Sequence, residues 1–174
     1  TLFLDEISEM PVNMQAKLRN VLQDHRFQRV GGTRTVQINA RIISASNADM
    51  AQRIAENRFR ADLFYRLNVI NIEMLPLRER MEDLPELLGA FLNKFNRQLN
   101  AHVASFSQEV LDLFSQYSWP GNIRQLENIV EYCVNMAEGA VVQREDLPAY
   151  FIRELSEQQG PTLKGVEAAA IREM

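Results

Sequence analysis

The chain has 174 residues, 46% of them hydrophobic and 24% charged, with a net charge of −4. That length suits one good-sized domain, or one domain with a small satellite, and the acidic balance argues against duplex binding by bulk electrostatics. A single cysteine, Cys133, excludes an intrachain disulfide and a thiolate metal cluster and fits a reducing, cytoplasmic setting, while no apolar run approaches the ~20 residues that span a membrane.

Leu2 to Leu4 is a short apolar run ending in Asp5-Glu6, the pattern of a buried parallel strand with acids at its carboxyl end. A natural chain rarely opens without Met inside such a strand, so the sequence is expected to be cut from a longer one. Pro11 suits a helix start, and Met14, Leu18, Val21 and Leu22 follow at helical spacing. Phe27 to Asn39 places β-branched residues around Gly31-Gly32 and reads as a hairpin. Ile42-Ile43 marks a second buried strand within Arg41 to Ser46, and Asn47 follows it. Helices are expected from Asp49 to about Asn57 and from Phe59 to Leu67, and Val69 to Ile72 is a third strand candidate.

The segment Leu75-Pro76-Leu77-Arg78-Glu79-Arg80 interrupts this alternation, and the best boundary falls after Pro76. Residues 77–152 then read as helices alone. Asp83 and Pro85 open one that carries Leu87, Leu88, Phe91, Leu92 and Phe95, and Ser107 caps another with Val110, Leu111 and Phe114. Trp119-Pro120-Gly121-Asn122 is a turn, with Trp119 expected as a core anchor. The next helix puts Ile123, Leu126, Ile129, Val130, Cys133, Val134 and Ala137 on one face and ends at Gly139. Glu154 to Gly165 is polar and reads as a linker, so that residues 153–174 form a linker and the start of a further helix at Gly165. Alternating strands and helices followed by helices alone indicate an α/β nucleotide-binding core, residues 1–76, with a small all-helical lid. Such sheets place ligands at the carboxyl ends of their parallel strands, where this chain carries Asp5-Glu6 and Ser46-Asn47.

Each of these signals has two readings. In a phosphate-loop enzyme one strand-end carboxylate holds magnesium, directly or through water, and the next orients the attacking water; Asp5 and Glu6 also fit a pair of surface acids opening a loop. The Asn47 amide suits a γ-phosphate or a water, or equally an Asx-turn ahead of Asp49. Arg60 and Arg66 are six residues apart, about 600° around a helix, and leave its axis in different directions. They are candidates to stabilise the charge of phosphoryl transfer in a neighbouring subunit, or to pair with Asp62 or Glu56. Arg124 lies near the start of its helix, where the dipole disfavours a cation, which suggests a nearby anion or a solvated side chain.

Order and spacing select between these readings. Thr1-Leu2-Phe3-Leu4-Asp5-Glu6-Ile7 resembles the Walker B strand of the bacterial sigma-54 activators, a branch of the AAA+ ATPases. Gln15 to Val30 with Gly31-Gly32 resembles their helix and hairpin insertion, Arg41 to Asn47 their sensor I, and Phe59 to Asn68 their arginine-finger stretch. Leu75 to Arg80 resembles the entry to the lid, and Trp119-Pro120-Gly121-Asn122-Ile123-Arg124-Gln125-Leu126-Glu127-Asn128 is similar to sensor II. The match covers about residues 1–150, and the tail to Met174 resembles the linker toward the family's DNA-binding helices. The resemblance implies a partial P-loop parallel sheet with helices, followed by the lid. It implies that Asp5 coordinates magnesium, Glu6 polarises water, Asn47 senses the γ-phosphate, Arg60 and Arg66 reach a neighbour's ATP, and Arg124 contacts nucleotide from the lid. It further implies a hexameric ring that hydrolyses ATP, with Mg2+ as cofactor, to remodel the sigma-54 RNA polymerase holoenzyme, and DNA binding through a region absent here.

The departures are equally definite. No Gly-x-x-x-x-Gly-Lys-Ser/Thr phosphate loop occurs in the sequence, and the family's sigma-contacting Gly-Ala-Phe-Thr-Gly-Ala loop is absent too. The family's sheet order is 5-1-4-3-2, of which this chain would supply strands 3, 4 and 5. The isolated chain is therefore expected to be inactive. The competing readings are a non-catalytic regulatory or interaction module of the same fold, another AAA+ machine such as a clamp loader, and a metal nuclease using Asp5 and Glu6.

Overall fold

The computed structural model describes residues 1–158; the further helix expected from Gly165 lies outside them. Two compact units are present, Thr1–Glu73 and the residues from Met74 on.

The first unit is α/β. Strand β1 (Leu2–Leu4) pairs in parallel with β4 (Ile42–Ser44), in the register Leu2↔Ile42, Phe3↔Ile43 and Leu4↔Ser44. Between them lie a 3-10 turn (Ile7–Glu9), helix α1 (Val12–Asp24), and an antiparallel hairpin of β2 (Arg26–Gln28) and β3 (Thr35–Gln37). The hairpin expected around Gly31-Gly32 is thus present, with Gly31 at φ 73°, a backbone open to glycine at little cost. Helices α2 (Met50–Ala55) and α3 (Ala61–Leu67) follow. Asp49 caps α2, its carboxylate accepting from the N–H groups of Ala51 and Gln52.

Three expectations for this unit need correction. The parallel strands are not buried: Phe3 is 57% exposed and Ile43 42%, because the sheet has two strands and a face that nothing among the described residues covers. Val69 to Ile72 forms no strand. It has no ladder partner, and Val69, Ile70 and Ile72 stand 77–82% exposed. On α1, Met14 is 45% exposed while the polar Gln15 is fully buried. The packed apolar centre of the unit is small, with Ile7, Phe59 and Leu63 buried and Leu18, Leu22 and Ile54 packed around them.

The second unit is mainly helical. Helix α4 (Leu84–Leu99) starts with Pro85 in its first turn and buries Leu84, Leu88, Leu92 and Phe95; Leu88, Leu92 and Phe95 are on the expected face, whose Leu87 and Phe91 are half-buried, and Leu84 joins them. Helix α5 (Gln108–Gln116) is capped by Ser107, and α6 (Asn122–Met136) buries Leu126, Ile129, Val130, Cys133 and Val134. Helices are not quite alone: two-residue strands β5 (Ser105–Phe106) and β6 (Val141–Val142) pair in parallel. Helix α7 (Ala149–Gln158) overturns the linker reading of Glu154 to Gln158, because Phe151 and Leu155, four residues apart, are both buried in the core.

That core is aromatic at its centre. Trp119, 1% exposed, meets Phe114 edge-on at 5.4 Å and stacks on Phe151 at 5.7 Å, and its indole N–H donates to Phe114 O at 2.8 Å. Trp119 is the anchor that the sequence suggests. Phe114→Ala is expected to cost this unit about 3–5 kcal/mol. Denaturant unfolding followed by the fluorescence of Trp119, the single tryptophan, reads the loss directly.

Candidate functional site

Strands β1 and β4 end side by side. Ala45 N–H donates to Leu4 O at 2.9 Å, and Ile7 N–H donates to Ala45 O at 3.0 Å. Asp5 and Glu6 leave β1 at this edge, and Asn47 leaves β4 at the same edge, so the fold brings the two carboxylates and the amide to the carboxyl ends of one parallel pair. All three are exposed. Asp5 Oδ1 accepts the Glu6 N–H at 3.0 Å, which leaves Oδ2 without a partner among the described residues. Glu6 turns the chain with φ 48° and ψ 45°, a left-handed conformation that costs a non-glycine residue roughly 1–2 kcal/mol. The side chains of Glu6 and Asn47 make no hydrogen bond or ion pair among the described residues. Asn47 does not cap the following helix, since Asp49 does so itself.

The arginines sit elsewhere in this unit. Arg60 is not on a helix but is the N-cap of α3, with φ −80° and ψ 128°, so the 600° count from Arg60 to Arg66 does not apply. Its guanidinium forms a fork with Asp62, Nε to Oδ1 at 3.0 Å and Nη2 to Oδ2 at 2.8 Å, and Arg19 lies 3.6 Å from the same carboxylate. Arg66 lies in the last turn of α3, which suits a cation, and donates to Leu22 O at 3.3 Å. Glu56 pairs with Arg58 rather than with either. No hydrogen bond or ion pair among the described residues joins Arg60 or Arg66 to Asp5 or Glu6.

Arg124, in the second unit, occupies the first turn of α6, is exposed, and has no hydrogen-bonding or ionic partner among the described residues. The turn before it is held tightly. Asn122 Oδ1 accepts from Leu77 N–H at 2.9 Å and from Ile123 N–H at 3.0 Å, and both Trp119 and Asn122 have positive φ. Cys133 is not a nucleophile candidate: burial pushes its thiol up to about 12, so it stays protonated.

One residue that the sequence reading passed over is central. Gln15 is fully buried, and its amide makes three hydrogen bonds, to Met10 O (2.8 Å), to Arg58 O (2.9 Å) and from Arg60 N–H (2.9 Å). The available signal was its place on the helical stripe of Leu18 and Leu22, three and seven residues on, where an amide must find partners.

Among the described residues no three His, Cys, Asp or Glu side chains group to hold a metal by protein ligands alone. Magnesium asks less, taking one or two carboxylates with water and substrate phosphates. The open Oδ2 of Asp5 and the unpartnered Glu6 fit that donor set.

An α/β unit with strand-end carboxylates, followed by a helical unit, is the class of an AAA+ ATPase core and lid. The comparisons agree. Residues 1–73 match the sigma-54 interaction domain, and residues 78–164 match an AAA+ ATPase lid domain. The regulatory protein AtoC of Escherichia coli is 45% identical over 148 residues, 85% of this chain and 32% of that protein. The formate hydrogenlyase transcriptional activator of Salmonella typhimurium is 45% identical over 143 residues, 82% of this chain and 21% of that one. NtrX from Brucella abortus in complex with ADP superposes with a TM-score of 0.80 at 37% identity, covering 85% of this chain and 35% of that one. NtrX in complex with ATP gives 0.79 at 36% identity, covering 91% and 38%. The chain belongs to the AAA+ ATPase domains of the sigma-54 activator family, and it spans about a third or less of the length of these curated relatives.

The Arg60–Asp62 fork makes a prediction of its own. The hydrogen bond from Arg60 holds the Asp62 carboxyl below its ordinary range, with Arg60's charge adding to the effect and burial opposing it, and the same pairing raises Arg60. A depressed carboxyl stabilises the fold above its unfolded pKa, and that contribution is lost as pH falls through the folded value. The pair is exposed, so the effect on stability is small. An NMR titration should place Asp62 below a normal aspartate, and Arg60→Ala should move it back up.

Proposed function

We propose that this chain is the later part of the ATP-hydrolysing domain of a cytoplasmic sigma-54-dependent transcriptional activator. In this reading the domain works as a hexameric ring on sigma-54 RNA polymerase, with a phosphate-binding loop supplied by sequence preceding Thr1 and DNA contacted through a further region. The observation that carries the reading is the edge where Asp5, Glu6 and Asn47 meet at the ends of β1 and β4, with Asp5 Oδ2 and the side chains of Glu6 and Asn47 unclaimed among the described residues. Solved NtrX structures with ADP and ATP support a nucleotide as the ligand class.

The roles follow from chemistry. Asp5 would hold Mg2+ through water, and the ion, when bound, would supply positive charge to offset that of the transferred phosphate. Glu6 accepts a hydrogen bond from the attacking water and orients it in line. Asn47 donates its amide N–H to a γ-phosphate oxygen. Arg60 and Arg66 serve the ATP of the adjacent subunit, and Arg124 contributes a further cation to nucleotide. Arg60 exchanges Asp62 for phosphate in doing so, a swap its planar fork permits because carboxylate and phosphate present similar paired oxygens. The exposed Phe3, Val69, Ile70 and Ile72 are the surfaces against which the missing strands of the sheet would pack.

A second reading, a non-catalytic module of the same fold, draws on one observation: both arginines already have partners within their own unit.

Two measurements test the first reading. Calorimetric titration of the isolated 174-residue chain with Mg-ATP is expected to give no micromolar binding, since no loop of backbone amides and Lys is present to cradle the phosphates. Micromolar affinity would overturn that account. In the protein that carries this chain with its phosphate loop, Glu6→Gln is expected to keep ATP binding and lose about 10²–10⁴-fold in hydrolysis. Arg66→Ala is expected to lose about 10³-fold or more. Their equimolar mixture should regain hydrolysis, because an Arg66→Ala subunit supplies Glu6 and its Glu6→Gln neighbour supplies Arg66. A mixture that stays inactive in rings shown to be mixed favours the second reading.

A further inference from the structure

Two stretches of the first unit are tied together twice. One is the turn after the strand-end acids, from Ile7 to Met10, and the other is the segment from Arg53 to Arg60. The inner tie is Gln15. Its Nε2 donates to Met10 O and Arg58 O, and its Oε1 accepts from Arg60 N–H. The partners fix the amide's orientation, because two carbonyls demand its NH2 and one N–H demands its oxygen; a flipped amide would lose all three bonds. The outer tie is the ion pair of Glu9 with Arg53. Arg53 O in turn accepts from the N–H groups of Arg58 and Phe59. Ile7 and Phe59, one from each stretch, are buried in the same apolar cluster.

A hydrogen-bonded path therefore runs from the sheet edge to the arginine. Ala45 O holds Ile7 N–H, Ile7 O accepts from Met10 N–H, Met10 O accepts from Gln15, and Gln15 accepts from Arg60 N–H. Arg60 O accepts from Phe64 N–H to start α3, which carries Arg66. Asp5 and Glu6 stand at the first end of this path and the two arginines at the other.

We propose that Gln15 is a positioning residue that couples the two catalytic roles of one subunit, with Glu9–Arg53 as an outer clamp. It fixes the backbone of Arg60 relative to the strand end that presents Asp5 and Glu6. The cation offered to a neighbour's ATP is thereby registered on the carboxylates that serve the subunit's own ATP. This rests on the reading under Proposed function. An apolar side chain of the same length would fill the space but leave Arg60 N–H and two carbonyls without partners, and α3 would no longer be pinned at its first residue.

The test uses the protein that carries the complete ATPase domain. Gln15→Met keeps the shape and removes the three hydrogen bonds. The expected result is an unchanged KM for ATP and unchanged ring assembly, with kcat lowered about 10²-fold, the scale set by a displacement of about 1 Å at a reacting group. Mixed with Glu6→Gln, it should regain hydrolysis, since the Gln15→Met subunit keeps Glu6 and its partner offers a correctly held Arg60. A purely structural role predicts a loss of assembly or ATP binding instead, with no recovery. Should Gln15→Met fail to assemble, Glu9→Gln decides. Its exposed site spares the fold, and the proposal expects a several-fold loss of kcat at constant KM, recovered in the same mixture. Unchanged kcat in the assembled Gln15→Met ring, or in Glu9→Gln where that variant decides, overturns the proposal, as does loss without recovery on mixing. Arg60→Ala mixed with Glu6→Gln is the control. If that mixture stays inactive, the trans role of Arg60 fails and this inference falls with it. If it recovers while the Gln15→Met mixture does not, only the role given to Gln15 is wrong.

Discussion

The first unit depends on one buried amide. Its apolar centre holds three buried hydrophobic side chains, too few to fix the crossing of α1 and α3 by packing alone. Gln15 supplies the missing constraint by joining backbone groups 43 and 45 residues away. Each such bond is worth about 1 kcal/mol net, and an unmade one would leave a buried polar group at a cost of about 1–3 kcal/mol. The asymmetry makes the amide a specifying contact: the unit has one arrangement in which all three bonds exist. Through it the arginine-bearing segment has a defined place relative to the end of β1.

The second unit reaches definition by the opposite route. Phe106, Phe114, Tyr117, Trp119 and Phe151 form a continuous aromatic cluster with centroid distances of 4.8–5.7 Å. This packing holds Trp119 in a left-handed conformation, which a bulky residue adopts only when its surroundings enforce it. Asn122, whose type tolerates that region, then ties Leu77 to the start of α6 with its side chain. The turn ahead of Arg124 is rigid as a consequence. Glu6 and Trp119 are the two positive-φ residues among the described ones whose types do not favour it; Glu6 is itself proposed to meet nucleotide, and Trp119 opens the turn that leads into the helix of Arg124.

Arg60 combines a local ion pair with the distant role proposed for it. Its fork with Asp62 is exposed, so water competes for both partners and the pairing contributes little to stability. The same fork holds the guanidinium at the Asp62 carboxylate, which Arg19 also approaches. Its proposed release to a phosphate would forfeit only an exposed pair, whereas the backbone N–H beneath it is held by Gln15.

Much of this architecture was legible in the sequence because its causes are local. The helical stripes of α4 and α6, the Ser107 cap, the Gly31 hairpin and the apolar run ending in Asp5-Glu6 follow from side-chain periodicity and turn chemistry, which act within a few residues. What failed depended on partners far along the chain or absent from it. Val69 to Ile72 has the composition of a strand, but a strand exists only where a neighbour accepts its hydrogen bonds. Glu154 to Gln158 reads as polar linker, yet Leu155 finds the core of its unit and the helix continues. Arg60 lies just outside the helix that its neighbours form, and Gln15 looks like one more polar residue until its three partners are seen. The sequence by itself determined the long helices α1, α4 and α6 and the edge at which the candidate carboxylates stand, because hydrophobic period is written residue by residue. Only the tertiary structure decided which backbone groups a buried amide must satisfy, because that choice belongs to segments more than forty residues apart.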